Sequence, residues 1–263
     1  MEQNYYDPSN AFSLHERREM NKISLDTFAF DKENNFDFSA GKVIQELKNE
    51  NKKSFKEYNS LNEIYKKTSE KQEEHSEGNK NSEISLMRQI HGHFIDITYR
   101  EDELFAFSEM KIIYAFKHLE INIKRLINSA YPGSSNKGFY RWDNLIDFLN
   151  SKSIIADKLV GFKEINQLRI VNNALKHSAT INEQTLKIPE FKRKASFSYI
   201  ELDLFYERIK PFPTKFLSSL SAAIYDELYL FDEKRLKNMA MSVALRMDEE
   251  NAIKFMQILK SCY

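Results

Sequence analysis

Three polar side chains that could act together on a phosphate fall on one side of a single predicted helix. Arg169, Asn173 and His177 stand at positions i, i+4 and i+8. Each step of four residues turns a helix by only about 40° beyond a full turn, so the three side chains lie along one ridge. Arginine offers a forked pair of donors that matches two phosphate oxygens, and histidine titrates near neutral pH. The ridge therefore has residue types that can grip a phosphate and move a proton.

The reaction that this pair suits is metal-free cleavage of RNA. One group removes the proton from a ribose 2′-hydroxyl and another protonates the leaving oxygen, while cations stabilise the charge that develops on the phosphate. An ordinary solvated surface is the competing interpretation. Lys176 and His177 are predicted in the last helical turn, where cations interact favourably with the helix dipole. Arg169 can equally pair with a surface acid, although Glu164, the nearest in sequence, is at a poor spacing for a helical pair.

Two further polar residues interrupt apolar stripes and belong to the candidate site. Asn172 lies in the core stripe between Leu168 and Leu175, where a polar side chain needs a hydrogen-bond partner. Glu109 interrupts the stripe of a long predicted helix in the same way. Either Glu109 is buried facing Arg169 or His177, where it would orient the site, or it tilts towards solvent.

The other polar clusters indicate no cofactor or metal. His91 and His93 are two residues apart, which on a helix points their rings to different faces, and no carboxylate pair accompanies them. The one cysteine, Cys262, allows neither an internal disulfide nor a cysteine-based zinc site. The chain has no glycine-rich phosphate loop and no serine elbow. The basic run 192–194 is either a phosphate contact or a plain solvated turn.

The composition is that of an ordinary water-soluble protein. Among 263 residues, 39 basic and 39 acidic side chains balance to a net charge of zero, so bulk charge does not predict strong non-specific binding of nucleic acid. The first ten residues are polar and do not read as a signal peptide. No apolar run approaches the roughly 20 residues of a membrane span. We therefore expect a cytoplasmic protein.

Few glycines and prolines and many helically spaced apolar residues predict an all-α fold. The pattern predicts helices over 42–68, 83–98, 101–130, 142–149, 162–178 and 214–230, and one or two helices over 232–260. The helix over 101–130 has two apolar stripes, as in the middle of a bundle or at a dimer seam. The segment 69–82 has no apolar residue and predicts a flexible loop.

Two regions of the sequence have a pattern that is more typical of extended structure than of a helix. Alternating residues at 27–30 and 35–38 predict either a short hairpin or an extended arm. The segments 186–191 and 196–204 indicate a second small hairpin. Between helices, 151–160 is either a connection or a short helix.

The order of these elements resembles the HEPN superfamily, small helical domains common in bacterial toxin–antitoxin, abortive-infection and CRISPR-linked systems. The resemblance covers roughly residues 104–230. It lies in the long helix with Glu109-Met-Lys-Ile-Ile-Tyr-Ala-Phe-Lys-His-Leu-Glu120, then Trp142-Asp-Asn-Leu-Ile-Asp-Phe-Leu149, then Leu168-Arg169 followed by Asn173 and Lys176-His177. Members usually dimerise and place an Arg and a His from each protomer at a shared cleft. Many are metal-independent endoribonucleases, and others are inactive binding modules.

By this resemblance Arg169 would bind the phosphate, His177 would be the catalytic histidine and Asn173 the polar residue between them, with Glu109, Asn172 and Lys176 in support. The family has four to six residues between its Arg and His, whereas this chain has seven. Asn172 or Asn173 fills the position where the family often has its Arg. On a helix the longer spacing separates the two side chains by about 12 Å along the axis. A dimer could bring one protomer's Arg169 near its partner's His177.

We therefore expect a helical extension over 1–100, a HEPN-like bundle over 101–230 and a helical cap over 231–263. The leading interpretation is a dimeric, metal-independent endoribonuclease of a toxin–antitoxin or phage-defence system, without a cofactor. The alternative is a catalytically silent helical module that binds RNA, a nucleotide or a protein partner such as a cognate antitoxin. A third possibility is an adaptor in a larger defence complex, with 69–82 as a hinge.

Overall fold

The computed structural model describes residues 12–29, 35–70, 77–134, 138–139 and 141–263, and within these ranges the protein is all-α with no β-strand. Its helices are α1 Leu14–Ala29, α2 Asn35–Glu70, α3 Glu77–Ala130, α4 Trp142–Ser151, α5 Phe162–His177, α6 Tyr199–Ile209, α7 Phe212–Tyr229, α8 Glu233–Ala244 and α9 Glu249–Ser261. Short 3₁₀ turns occupy Ala156–Lys158, Thr185–Lys187 and Pro189–Phe191. The predicted helices 42–68, 142–149, 162–178 and 214–230 are confirmed, as are two helices in 232–260. None of the described helices combines the length and apolar character of a membrane span.

The predicted hairpins are wrong. Residues 27–29 end α1 and residues 35–38 begin α2, while 30–34 lie outside the described residues. A four-residue alternation is too short to distinguish a strand from a helix. The second predicted hairpin consists of two 3₁₀ turns and most of α6. That helix buries Leu202, Phe205, Tyr206 and Ile209, whose spacing of three, one and three is helical.

The predicted division into helices 83–98 and 101–130 is also wrong, because α3 runs without interruption from Glu77 to Ala130. Arg100 lies at the predicted junction. Its guanidinium donates to Glu50 at 3.2 Å and to the Ser54 hydroxyl at 3.2 Å, and it lies 3.9 Å from Asp96 one turn earlier. The polar run that suggested a break is therefore a helical face with partners. No proline occurs between Glu77 and Tyr131 that would interrupt the helix.

The predicted loop 69–82 is partly helical. Residues 69–70 complete α2 and residues 77–82 begin α3, and 71–76 lie outside the described residues. The absence of apolar side chains does not prevent a helix here, since each of these short segments extends a longer helix and needs no new nucleation.

The chain forms two compact units, each assembled from separated segments. The described residues of the first unit lie within 1–31, 120–163 and 212–263, and those of the second lie within 32–119 and 164–211. In the first unit α1 packs on α7, burying Leu25, whose carbonyl accepts a hydrogen bond from the Ser221 hydroxyl at 3.2 Å. Phe162 packs its ring near those of Trp142 and Phe216.

The second unit has the candidate residues and two apolar groupings that position them. Ala40 and Ile44 of α2 pack with Leu104 of α3, flanked by partly buried Phe36, Leu47, Phe107 and Tyr199. Phe191 contacts the rings of Phe197 and Phe205 at centroid distances of 5.0 and 5.4 Å. The buried face of α5 in this unit presents Ile165, Leu168, Val171, Ala174 and Leu175.

Candidate functional site

Helix α5 separates its apolar face from the predicted polar ridge. Arg169 is half-buried, whereas Asn173 and His177 are exposed. The helix ends at His177, two residues before Ala179, whose φ of +49° is left-handed and whose N–H donates to the Ala174 carbonyl at 3.0 Å. His177 therefore stands on the last helical turn with its ring accessible, and Lys176 beside it is also exposed.

Asn166 holds the guanidinium of Arg169. Its side-chain oxygen accepts from Arg169 Nε at 3.0 Å and from Nη2 at 2.9 Å. Two donors of the fork thus meet one amide oxygen, three residues earlier on the same helix. The side chain of Asn166 is neutral, so it orients the guanidinium by hydrogen bonding and adds no negative charge of its own.

Asn172 is buried, as its place in the apolar stripe predicts, with 1% of the residue exposed. Its amide nitrogen donates to the side-chain oxygen of Asn173 at 3.1 Å. Its own side-chain oxygen has no hydrogen-bond partner among the described residues. The two adjacent amides therefore couple the buried face of α5 to the exposed ridge and fix the rotamer of Asn173.

The distances along α5 decide what one protomer can do with this ridge. Arg169 and His177 are eight residues apart on a continuous helix, which separates their Cα atoms by about 12 Å along the axis. His177 makes no hydrogen bond or ion pair with the residues that the structure describes. The Arg169 guanidinium bonds to Asn166, on the side of Arg169 away from His177, so we expect convergence on one phosphate to need a second copy.

Glu109 of α3 is half-buried. Burial raises the pKa of its carboxyl above the ordinary value, because desolvation disfavours the charged form. The raised pKa has burial as its cause rather than a neighbouring charge.

We predict that Glu109→Gln stabilises the protein at neutral pH. An acid with a raised folded-state pKa binds more protons folded than unfolded, so its contribution to stability falls as the pH rises. Replacing the carboxylate with a neutral amide removes the desolvation cost of the charged form. In urea unfolding, the advantage of the variant should be present at pH 7 and should disappear as the pH falls below the unfolded value of about 4.3. A wild type more stable than the variant at pH 7 would show that the carboxylate has a favourable partner.

A cluster that sequence analysis missed ties α6 to the helix with the ridge. The guanidinium of Arg208 on α6 donates to both carboxylate oxygens of Glu190, at 2.6 and 2.8 Å, and to the Gln167 side-chain oxygen on α5 at 3.0 Å. Burial acts to raise the pKa of Glu190, but the bonds from Arg208 outweigh it and the pKa is lowered. Because Gln167 is 41 residues from Arg208, no local spacing could have indicated this contact.

A second missed cluster surrounds a buried lysine. Lys111 of α3 is 5% exposed. Its ammonium lies 3.6 Å from Asp37, 3.8 Å from Asp203 and 4.2 Å from the centre of the Tyr206 ring. Asp203 also pairs with Lys48. The signal was available, because Lys111 lies directly before the buried Ile112 in an apolar stretch of α3.

Neither a metal site nor a known relative helps to define the candidate site. In the part of the chain that the structure describes, no three histidine, cysteine or carboxylate side chains are grouped to hold a metal ion. The sequence matches no protein-family model, and comparisons with curated proteins and with solved structures find no match.

Proposed function

We propose that this protein is a HEPN-like, metal-independent endoribonuclease of a bacterial toxin–antitoxin or phage-defence system, acting in the cytoplasm as a homodimer. The proposal rests on one observation above all. The exposed imidazole of His177 and the guanidinium of Arg169, oriented by Asn166, share one face of α5. This pairing supports acid–base chemistry beside an anion.

In the proposed reaction His177 removes the proton from a ribose 2′-hydroxyl. The 2′-oxygen then bonds to phosphorus and the bond to the 5′-oxygen breaks, leaving a 2′,3′-cyclic phosphate and a 5′-hydroxyl. The leaving oxygen takes a proton from a water molecule, so that each site needs one His177 and one Arg169. Arg169 stabilises the negative charge on the phosphorane oxygens.

A catalytically silent module that binds RNA, a nucleotide or a partner such as an antitoxin is the second candidate, and specific observations favour it. The Arg169 guanidinium bonds to Asn166, on the side of Arg169 away from His177 in the same protomer. Asn172 or Asn173 fills the position where the HEPN family often has an arginine, and Asn172 is buried and bonded to Asn173. A binding module needs only an accessible surface with cations. Exposed Lys176, Lys192 and Arg193 in the second unit would serve it.

The test compares the purified full chain with its His177→Ala variant on RNA in the presence of EDTA. We expect cleavage by the wild type and a loss of about 10²- to 10⁴-fold in the variant, the usual contribution of a general acid or base. His91→Ala is the matched control, since it removes another exposed histidine of the second unit and should cleave normally.

Equal cleavage by all three proteins would remove His177 from the mechanism. Absence of cleavage by the folded wild type, together with RNA binding in a filter assay, would favour the silent module.

A further inference from the structure

The hairpin of α8 and α9 in the first unit exposes an apolar surface. Neither helix contains a buried residue, although the two helices contact each other. The exposed fraction is 45% for Ile253, 59% for Met256 and 51% for Leu259. On α8, Leu236 and Met239 are each about half exposed. Apolar stripes at helical spacing are the pattern of helices that pack against another element, and here nothing in the described protomer covers them.

Both helices nevertheless have capped N-termini. Asp232 caps α8 by accepting from the Arg235 N–H at 2.7 Å, and Asp248 caps α9 by accepting from the Asn251 N–H at 2.8 Å. The Arg235 guanidinium donates to the Leu230 carbonyl at 2.8 Å after the end of α7. Good caps define where each helix begins and therefore which side chains share a face.

One line along α9 has charges of opposite sign at its two ends. Glu249, Ile253, Met256 and Lys260 follow at steps of four, three and four residues, the spacing of a helix–helix seam. Glu249 and Lys260 are exposed and have no ion-pair partner among the described residues. The neighbouring Glu250, by contrast, has a partner in its own helix, because its carboxylate pairs with Lys254 one turn later at 2.6 Å.

This order of residues is complementary to itself when reversed. In an antiparallel pair centred between Ile253 and Met256, Glu249 meets the partner's Lys260, and Ile253 meets the partner's Met256. A two-fold axis repeats both contacts, as an isologous interface requires. A parallel pair would instead set Glu249 against Glu249 and Lys260 against Lys260. Charge complementarity thus selects a second copy of this chain, in one orientation, as the occupant.

We propose that two copies associate through their α8–α9 hairpins, with α9 pairing antiparallel across a two-fold axis. A helix of 13 residues is only about 20 Å long, whereas a stable interface buries about 800 Å² on each partner. The apolar stripe of α8 supplies the additional area, so the assembly is a four-helix arrangement of two hairpins. This inference does not depend on the proposed function.

The test is sedimentation of the full chain at micromolar concentration, with charge reversals on α9. We expect a wild-type dimer. Glu249→Lys and Lys260→Glu should each weaken the dimer at least about 10-fold, because each sets like charges opposite one another. The double variant, and an equimolar mixture of the two single variants, should dimerise again, since both restore opposite charges across the pair. Glu250→Lys is the matched control: it makes the same charge change one residue away from the seam and should leave the dimer intact.

Circular dichroism of each variant establishes that it is folded. A monomeric wild type, a double variant that stays monomeric, or a control as disruptive as Glu249→Lys would overturn the inference. A dimer that survives both single reversals would overturn it too, while leaving the proposed function unaffected, because that dimer would use another surface.

Discussion

Replacing Asp203 with alanine is expected to lower the free energy of unfolding by about 3 kcal/mol, because it leaves the buried ammonium of Lys111 short of counter-charge. Asp203 is the shared partner of Lys111 and Lys48. Removing one member of a buried ion pair typically costs about 3–5 kcal/mol. The lower figure applies here because Asp37 remains 3.6 Å from the same ammonium.

The measurement is urea unfolding of the full chain, followed by circular dichroism. Glu207→Ala is the matched control. Glu207 lies one turn further along α6, is exposed and pairs with the exposed Lys210, so its loss should cost less than about 1 kcal/mol.

A second substitution distinguishes the buried charge from lost packing. Adding Lys111→Met to the Asp203→Ala protein removes the uncompensated ammonium and should recover a large part of the lost stability. An Asp203→Ala protein as stable as the Glu207→Ala control would show that the cluster around Lys111 is well solvated.

The second large effect is expected at Arg169. Arg169→Ala should reduce RNA cleavage by about 10²- to 10³-fold, the usual consequence of losing a donor that stabilises transition-state charge. We expect the variant to keep its helix, because alanine has the highest helix propensity, and circular dichroism checks this. Arg169→Lys, which keeps the charge but lacks the fork, should fall between the wild type and the alanine variant.

Rates measured at saturating RNA separate the two candidate functions. An endoribonuclease should lose turnover in the Arg169→Ala variant even when RNA is fully bound. For a silent binding module the same substitution should weaken RNA affinity, with no cleavage by either protein. An Arg169→Ala variant that cleaves at the wild-type rate would remove Arg169 from the mechanism.

Helices with one clear apolar stripe between breakers were predictable from the sequence. Helix α5 is the clearest case, because Ile165, Leu168, Val171 and Leu175 recur at helical spacing and define its buried face. The same pattern predicted the burial of Asn172.

The wrong predictions came from short windows. The segment 196–204 ends before Phe205, which completes the helical pattern begun by Leu202, so the segment by itself does not show the helix. The break predicted near Arg100 failed for a different reason: the polar residues there find partners on α2, such as Glu50, which is 50 residues away.

Contacts between distant segments could not be predicted from one sequence. The Arg208 guanidinium reaches Gln167 and Glu190, and Lys111 reaches Asp37 and Asp203. Periodicity places each of these residues on a helix face but does not say which faces meet. For the candidate site, periodicity predicts the polar ridge on α5 and the spacing of its residues along the helix. It does not predict the contact between Arg169 and Asn166, because that contact depends on the side-chain rotamer of Arg169.

The central claim is that Arg169 of one protomer acts with His177 of its partner, and mixing two inactive variants tests it most directly. Arg169→Ala and His177→Ala should each be inactive alone. In an equimolar, re-equilibrated mixture, half of the dimers pair the two variants, and each of these has one intact Arg169–His177 site, so about a quarter of the wild-type cleavage rate should return. The control mixture uses Arg169→Ala with the double variant Arg169→Ala/His177→Ala and should stay inactive. Failure of the first mixture to recover any activity, with mixed dimers demonstrated by a tag on one variant, would contradict the shared site.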